Sequence, residues 1–201
     1  MVAIIDYDAG NVKSVEKAAV HLGYDAALTR SRTDLLNADS VILPGVGSFG
    51  DACARLDEYG LTPVIHEVVD AGIPFLGICL GLQLLFDSSE ESPGAKGLGL
   101  IPGKIKRIPD VGFKVPHIGW NSLKFPNPGR MFRGIEEGAY VYFVHSYYLE
   151  AEDPGNVTAT TEYATLIHAA VERDNVFATQ FHPEKSSETG LKMLANFLEI
   201  R

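Results

Sequence analysis

Cysteine and positive charge are both scarce in this chain, and each shortage argues against a class of protein. Among 201 residues only Cys53 and Cys79 are cysteines, so a disulfide framework is not expected and a reducing cytoplasm fits. Lysine and arginine total 17 against 26 acidic residues, which gives a net charge of −9 at pH 7. A surface for nucleic acid or for an anionic membrane needs clustered cations, so neither partner is expected.

Long hydrophobic runs, repeats and linkers are also missing. The longest apolar stretch, residues 75–86, is broken by glycines and is too short to span a bilayer. The strand-like Val2-Ala3-Ile4-Ile5 begins the sequence at once, and no signal peptide is expected. A length of 201 residues is enough to bury one core. We therefore expect a single domain over residues 1–201.

The first half of the chain alternates short apolar runs with amphipathic stretches. Buried strands are predicted at residues 3–6, 41–43 and 75–78. Helices are predicted at residues 12–22, around Cys53, at 62–71 and from the turn after residue 78 to 86. Strands interleaved with helices predict a parallel sheet that is covered on both faces.

The second half has a stronger β pattern. Strands are predicted at residues 104–108, 140–149, 157–161, 167–171 and 176–181, with a hairpin-like turn at Asp174-Asn175. A helix is predicted at about 186–200, with Leu191, Leu194, Ala195 and Leu198 facing inward. The whole chain therefore predicts an α/β fold, in which a mostly parallel central sheet has helices on both faces and an antiparallel β region follows in the second half.

Cys79 lies in a setting that makes thiols reactive. The sequence Gly77-Ile78-Cys79-Leu80-Gly81 follows an apolar run and has the form of a nucleophile elbow, in which a strand turns sharply into a helix. The two glycines relieve the crowding of such a turn, and a helix N-terminus favours the thiolate. Cys53, in contrast, lies in a helical pattern and is expected to be a small buried hydrophobic residue.

A base and a carboxylate occur together about a hundred residues later. His182 and Glu184, in Gln180-Phe181-His182-Pro183-Glu184, are two residues apart and can point the same way from an extended segment. Taken alone, this segment would usually be structural, and so would a single cysteine before a helix. Together they supply a nucleophile, a base and an orienting acid, so the chain is predicted to be an enzyme.

The glycine-rich segment at residues 45–50 has two interpretations. Gly-Val-Gly-Ser-Phe-Gly matches the G-x-G-x-x-G fingerprint of dinucleotide sites. That fingerprint belongs on the first strand–helix unit, however, and the acidic residue at the expected distance, Asp70, falls inside a helix pattern. The alternative is a loop that aims backbone N–H groups at a developing oxyanion, which we favour because the Cys79 elbow accompanies it.

These segments together resemble the class I (triad) glutamine amidotransferase family over the whole chain. The cysteine elbow and His-Pro-Glu are typical of the class, and residues 43–50, 115–121 and 142–147 narrow the resemblance to glutaminase subunits of histidine biosynthesis. Asp8 departs from the family pattern, in which glycine is more often expected, and it lies at the end expected to face a partner.

The resemblance implies that glutamine is hydrolysed to glutamate and ammonia. Cys79 would form a glutamyl thioester, His182 would transfer protons, and Glu184 would orient His182. The backbone N–H groups implied at the oxyanion belong to Val46 and Leu80. The residues implied in glutamine binding are Gly47, Gln83, Glu91, Ser146 and Tyr147, with Glu91 facing the α-ammonium group.

The resemblance also implies a protein partner. Ammonia would pass to a separate (β/α)8-barrel cyclase subunit, which forms imidazole glycerol phosphate and an aminoimidazole carboxamide ribotide. The residues implied at this interface are Asn11, Trp120, Tyr142 and Lys185. No cofactor and no metal are implied, and the histidines other than His182 are expected to be structural or surface residues.

Two alternatives stay open at this point. Another stand-alone amidotransferase subunit, such as that of anthranilate or pyridoxal phosphate synthesis, would share the triad but use a different partner. A cysteine peptidase with the same elbow would act on peptides and not on free glutamine. In the preferred interpretation the isolated subunit is nearly idle, and the partner switches it on through the loop at residues 44–47.

Overall fold

The computed structural model describes residues 1–200. The strands are β1 (Val2–Ile5), β2 (Ala26–Thr29), β3 (Ser40–Leu43), β4 (Phe75–Ile78), β5 (Ser88–Ser89), β6 (Gly103–Arg107), β7 (His117–Ser122), β8 (Tyr140–His145), β9 (Tyr147–Ala151), β10 (Val157–Tyr163), β11 (Thr165–Arg173) and β12 (Val176–Thr179). The helices are α1 (Val12–His21), α2 (Arg32–Leu36), α3 (Phe49–Glu58), α4 (Leu61–Asp70), α5 (Leu80–Leu84) and α6 (Ser187–Leu198). Across residues 1–200, no helix has both the length and the apolar character that crossing a membrane requires.

The central sheet is parallel on one side and antiparallel on the other. Its strands lie in the order β2-β1-β3-β4-β12-β11-β9-β6-β5, and β10 pairs with β11 off this path. The pairs from β2 to β12 are parallel, whereas β11 is antiparallel to both β12 and β9, and β9 is antiparallel to β6. Strands β7 and β8 form a separate antiparallel pair. The expected fold class is confirmed.

Helices cover both faces of the parallel strands, because alternate residues of each strand point to opposite faces. On one face Ile4 of β1 packs in a buried cluster with Val15 of α1 and Phe197 of α6. On the other face Ile5 lies in a cluster with α2, α3 and α4, which contribute Leu35, Leu56 and Ile65 among others. Strands β1, β3 and β4 are buried on both faces, which explains why they read as continuous apolar runs.

The strand predicted over residues 140–149 is wrong as a single element. It divides at Ser146 into β8, which pairs with β7, and β9, which pairs with β6 and β11. A continuous β pattern cannot reveal that the chain changes sheet. The elements β2, α2, β5 and β7 were not predicted; the β2 residues are only half-buried, and α2 and β5 have only five and two residues.

One helix boundary and the inner face of another helix also differ from the prediction. Helix α5 ends at Leu84 and not at Phe86, because the N–H groups of Leu85 and Phe86 bond to carbonyls three residues back. The inner face of α6 carries Met193 and Phe197 in addition to Leu194 and Leu198, whereas Ala195 is only half-buried. The predicted turn at 174–175 joins β11 and β12 as an antiparallel hairpin.

Candidate active site

The predicted nucleophile and the predicted base lie at the same edge of the sheet. Strands β4 and β12 are parallel neighbours in which Ile78 lies opposite Thr179. Cys79 follows β4 directly, and His182 comes shortly after β12. Because the carboxyl ends of parallel strands meet at one edge, residues about a hundred positions apart in sequence are brought together. The loop after β3, which is the predicted oxyanion loop, ends at this edge as well.

The turn at Cys79 has the geometry of an elbow. Cys79 has φ +57° and ψ −105°, a conformation that a non-glycine residue adopts only under constraint. A Cβ on Gly77 would lie 2.7 Å from the Gly81 carbonyl oxygen, and a Cβ on Gly81 would overlap the Leu43 carbonyl oxygen. Gly77 therefore lets β4 turn closely against α5, and Gly81 lets α5 pack against β3. Helix α5 has only five residues, so its dipole contributes less than a long helix would.

His182 and Glu184 form a buried pair. The Nδ1–H of His182 donates to Glu184 Oε1 at 2.8 Å, and both side chains are inaccessible to solvent. Since Nδ1 carries this proton, Nε2 of the neutral ring has its lone pair free. Within residues 1–200, Nε2 has no hydrogen-bond partner, and neither does Glu184 Oε2. Burial by itself would lower the pKa of His182, but its interactions with Cys79 and Glu184 outweigh that effect and raise the pKa to about 9.

Asn11 contacts the same carboxylate. Its side-chain Nδ2 donates to Glu184 Oε1 at 2.7 Å and lies 3.4 Å from His182 Nδ1. Asn11 has φ +73° at the start of α1, a left-handed conformation that asparagine tolerates better than most residues. Sequence reasoning had implied only a partner interface for Asn11. Its side chain in fact donates to the same Glu184 oxygen as the imidazole ring and helps to fix the carboxylate.

The oxyanion loop is enclosed by residues that follow β1. The Tyr7 hydroxyl donates to the Pro44 carbonyl at 3.0 Å, and a Cβ on Gly10 would lie 2.7 Å from Val46 Cγ2. The Leu80 N–H, one of the two implied oxyanion donors, bonds to the Gly45 carbonyl at 3.4 Å. That donor is therefore already engaged within the chain by the loop that carries Val46.

A cavity of about 270 Å³ opens beside Cys79. All residues implied in glutamine binding line it, namely Gly47, Gln83, Glu91, Ser146 and Tyr147. The Glu91 carboxylate also accepts the Phe49 N–H at 2.7 Å, which fixes it against the first turn of α3. The Gln83 amide nitrogen donates to the Tyr147 carbonyl and to Gln180 Oε1, both at 3.1 Å, so its oxygen is the atom left for a ligand.

Sequence reasoning missed the buried polar groups behind this cavity. His145 Nδ1 lies 2.8 Å from the Tyr147 carbonyl, and His145 Nε2 lies 3.1 Å from His117 Nδ1. Burial lowers the pKa of His145 to about 3 and that of His117 to about 4, so both rings are neutral at pH 7. The histidines were predicted to be structural or surface residues. Only the alternation of β7 and β8, which pairs His117 with His145, could have linked them.

The other residues implied at a partner interface lie close to the triad. Trp120 on β7 is 49% exposed, and its ring meets Tyr142 of β8 edge to face at 6.1 Å. The backbone of Tyr142 accepts the His182 N–H at 3.0 Å. Lys185 is exposed on the short turn after His182. A partner bound at this surface would therefore contact the segment that carries the base.

This combination of a cysteine elbow and a buried His–Glu pair on an α/β sheet agrees with the comparisons to known proteins. Residues 3–200 match the family model of class-I glutamine amidotransferases, and the chain belongs to that family. It is similar to the imidazole glycerol phosphate synthase subunit HisH of Moorella thermoacetica, with 52% identity over 99% of this chain and 94% of that protein. The HisH protein of Desulfitobacterium hafniense is 50% identical over 98% of this chain and 93% of its own length. Among solved structures, a glutamine amidotransferase superimposes with a TM-score of 0.77 at 20% identity, covering 99% of both chains, which supports the fold.

Proposed function

We propose that this chain is the glutaminase subunit of an imidazole glycerol phosphate synthase, which hydrolyses L-glutamine to glutamate and ammonia for histidine biosynthesis. The observation that carries the proposal is a buried His182–Glu184 pair beside Cys79 at a ligand-sized cavity. Full-length identity of about half to HisH proteins supports the choice of synthase. We propose that residues 1–201 form one domain and act in the cytoplasm, where the free thiols of Cys53 and Cys79 would stay reduced.

The proposed reaction begins with attack of the Cys79 thiolate on the side-chain amide carbon of glutamine. The carbonyl electron pair moves to oxygen, where the N–H groups of Val46 and Leu80 would stabilise it. When the tetrahedral intermediate collapses, the C–N bond breaks and His182 gives its proton to the departing ammonia. The raised pKa of His182 keeps the ring protonated near neutral pH, so this proton is available.

Hydrolysis of the resulting glutamyl thioester returns the enzyme to its starting state. Neutral His182 takes a proton from water, and the hydroxide oxygen bonds to the thioester carbon. The C–S bond then breaks, which releases glutamate and the Cys79 thiolate. Glu184 holds Nδ1–H of the ring throughout, and Asn11 holds Glu184 through the 2.7 Å bond, so the ring keeps its orientation in both half-reactions.

The cavity suits free glutamine. Glu91 supplies a carboxylate toward the α-ammonium group, and it is held in place by the Phe49 N–H. Gln83 offers only its oxygen, since its amide nitrogen is engaged inside the protein. The residues 146–147 would provide backbone groups for the α-carboxylate. A peptide with internal glutamine has neither charged group, so these buried polar groups would be left unpaired.

We propose that ammonia passes to a (β/α)8-barrel cyclase subunit, with which this chain forms a heterodimer. The exposed Trp120 and Lys185, with Tyr142 and Asn11, would form the contact surface. The bond between the Leu80 N–H and the Gly45 carbonyl suggests a resting state with an occupied oxyanion donor. Binding of the cyclase and its nucleotide ligand would favour a loop arrangement that frees Leu80 and aims the Val46 N–H at the substrate.

The test measures glutamate release by the purified chain, alone and with the cyclase subunit and its nucleotide substrate. We expect slow release alone, fast release in the mixture, and formation of imidazole glycerol phosphate from glutamine. The Cys79→Ala variant serves as the control, because it should support product formation only with added ammonia. Activation by the anthranilate or pyridoxal phosphate partner instead, or efficient cleavage of peptides, would contradict the proposal.

A further inference from the structure

Gln180 is a buried polar residue that the proposed mechanism does not use. It lies between β12 and His182, it is 0% exposed, and its backbone N–H bonds to the Ala169 carbonyl at 2.8 Å. Its side-chain Nε2 lies 3.8 Å from Cys79 Sγ, within hydrogen-bond reach of sulfur. Its side-chain Oε1 accepts a hydrogen bond from Gln83 at 3.1 Å. The side chain therefore joins the nucleophile to the inner wall of the cavity.

The direction of this chain of hydrogen bonds is fixed by a backbone carbonyl. The Tyr147 carbonyl can only accept, so it orients the Gln83 amide with its nitrogen toward Tyr147. The same nitrogen then donates to Gln180, which must present its oxygen to Gln83 and its N–H to the sulfur. His145 Nδ1–H donates to the same Tyr147 carbonyl and holds it in place. If either glutamine amide were flipped, a buried donor or acceptor in this series of hydrogen bonds would be left unpaired.

We infer that Gln180 is a positioning residue that donates an N–H to the Cys79 sulfur and favours its ionised form. A hydrogen bond to an anion is stronger than one to the neutral group, so the amide stabilises the thiolate more than the thiol. The neutral thiol has a different partner, because the Cys79 S–H donates to the Val144 carbonyl at 3.9 Å. Loss of the proton removes that bond, and the Gln180 amide then donates to the thiolate together with His182.

Other titratable groups also face the Cys79 sulfur and act on its ionisation. His182 after β12 interacts with it directly, and Tyr7 of the loop after β1 is close enough for its own pKa to be raised in part by Cys79, after the larger effect of burial. His145 and Glu91 line the same cavity as Cys79. The contribution of Gln180 is therefore measured as a difference between variants that keep all four groups.

The experiment follows the alkylation of Cys79 by iodoacetamide as a function of pH, in a Cys53→Ala background. Gln180→Met keeps the volume and removes the donor, and Gln180→Asn keeps the amide but withdraws it by one methylene. We expect each to move the pH midpoint of alkylation upward by about one unit, which is about a tenfold loss of thiolate at a given pH. Glutamate release should fall through kcat with little change in KM.

Thr179→Val is the matched control. Thr179 is equally buried next to Gln180, and its hydroxyl donates to the Phe181 carbonyl at 3.0 Å without touching the sulfur. The Thr179→Val substitution should lower the thermal stability of the protein and leave the pH midpoint of alkylation unchanged. The inference is overturned if both Gln180 variants alkylate with the parent midpoint, or if Thr179→Val moves it as far. The inference rests on the proposed glutaminase function and deepens it. Alkylation requires neither glutamine nor a cyclase, so the alkylation result can be interpreted even if the proposed function is wrong.

Discussion

Gly45 is the tightest point of the oxyanion loop, and its replacement tests whether the loop controls activity. A Cβ on Gly45 would overlap the Tyr7 hydroxyl and would lie 3.3 Å from Leu80 Cβ. The same hydroxyl holds the loop through its 3.0 Å bond to the Pro44 carbonyl. Gly45→Ala must therefore move either the Tyr7 side chain or the loop segment that carries the Val46 N–H.

The expected loss of activity follows from the displacement of one oxyanion donor, the Val46 N–H. Loss of one oxyanion donor costs about 2.7–4 kcal/mol, or roughly a hundred- to a thousandfold in kcat. We expect Gly45→Ala to lower glutamate release of the cyclase complex within this range. The isolated subunit should change much less, because its Leu80 N–H is already engaged by the Gly45 carbonyl. The test is therefore the ratio of kcat for glutamate release between the complex and the isolated subunit.

A second substitution separates steric crowding from backbone strain. Tyr7→Phe removes the hydroxyl that the new Cβ would overlap, so Gly45→Ala/Tyr7→Phe should recover part of the lost activation. Gly47→Ala should not be rescued in this way. Within residues 1–200 a Cβ at Gly47 would meet no atom within 4 Å, but its φ of +118° is unfavourable for any other residue. Full activation of the Gly45→Ala complex, or equal rescue of both variants, would refute the reasoning.

Three further outcomes can be measured directly. Cys79→Ala should abolish glutaminase activity while ammonia-dependent synthesis by the complex continues. His182→Ala should lower glutaminase activity nearly as much, because the triad acts as a unit. Retained glutamate release in Cys79→Ala would exclude the mechanism. Free glutamine should be hydrolysed far faster than peptides with internal glutamine, and Glu91→Gln should raise KM for glutamine, which steady-state kinetics would detect. Because interactions with Cys79 and with Glu184 raise the folded-state pKa of His182 to about 9, the protonated ring stabilises the fold fully below pH 6.5 and loses this contribution as the pH rises through 9. Glu184→Gln should therefore lower the free energy of unfolding more at pH 6 than at pH 9.5, and an equal loss at both pH values in urea denaturation would contradict the assignment.

The proposed triad could be predicted from the sequence because each part of it lies in a short motif with its own physical meaning. Gly77 and Gly81 mark the Cys79 elbow, and the spacing of His182 and Glu184 places both side chains on one side of an extended segment. The apolar runs that form β1, β3 and β4 are buried on both faces, and such continuous runs can be recognised in the sequence without a structure. The change of sheet at Ser146 was not readable, since β8 and β9 form one uninterrupted β pattern.

The sequence by itself determined the reactive groups of this protein, and the tertiary structure decided which partners those groups have. Asn11 reaches Glu184 across 173 positions, and Gln180 reaches the Cys79 sulfur across 101. Neither contact has a local signal, because each depends on the parallel pairing of strands whose carboxyl ends meet at one edge. The occupied Leu80 N–H is also a tertiary result, since the Gly45 carbonyl that engages it is placed by Tyr7 and β3. A sequence motif specifies which donors and acceptors exist, but only packing determines which of them remain free for a substrate.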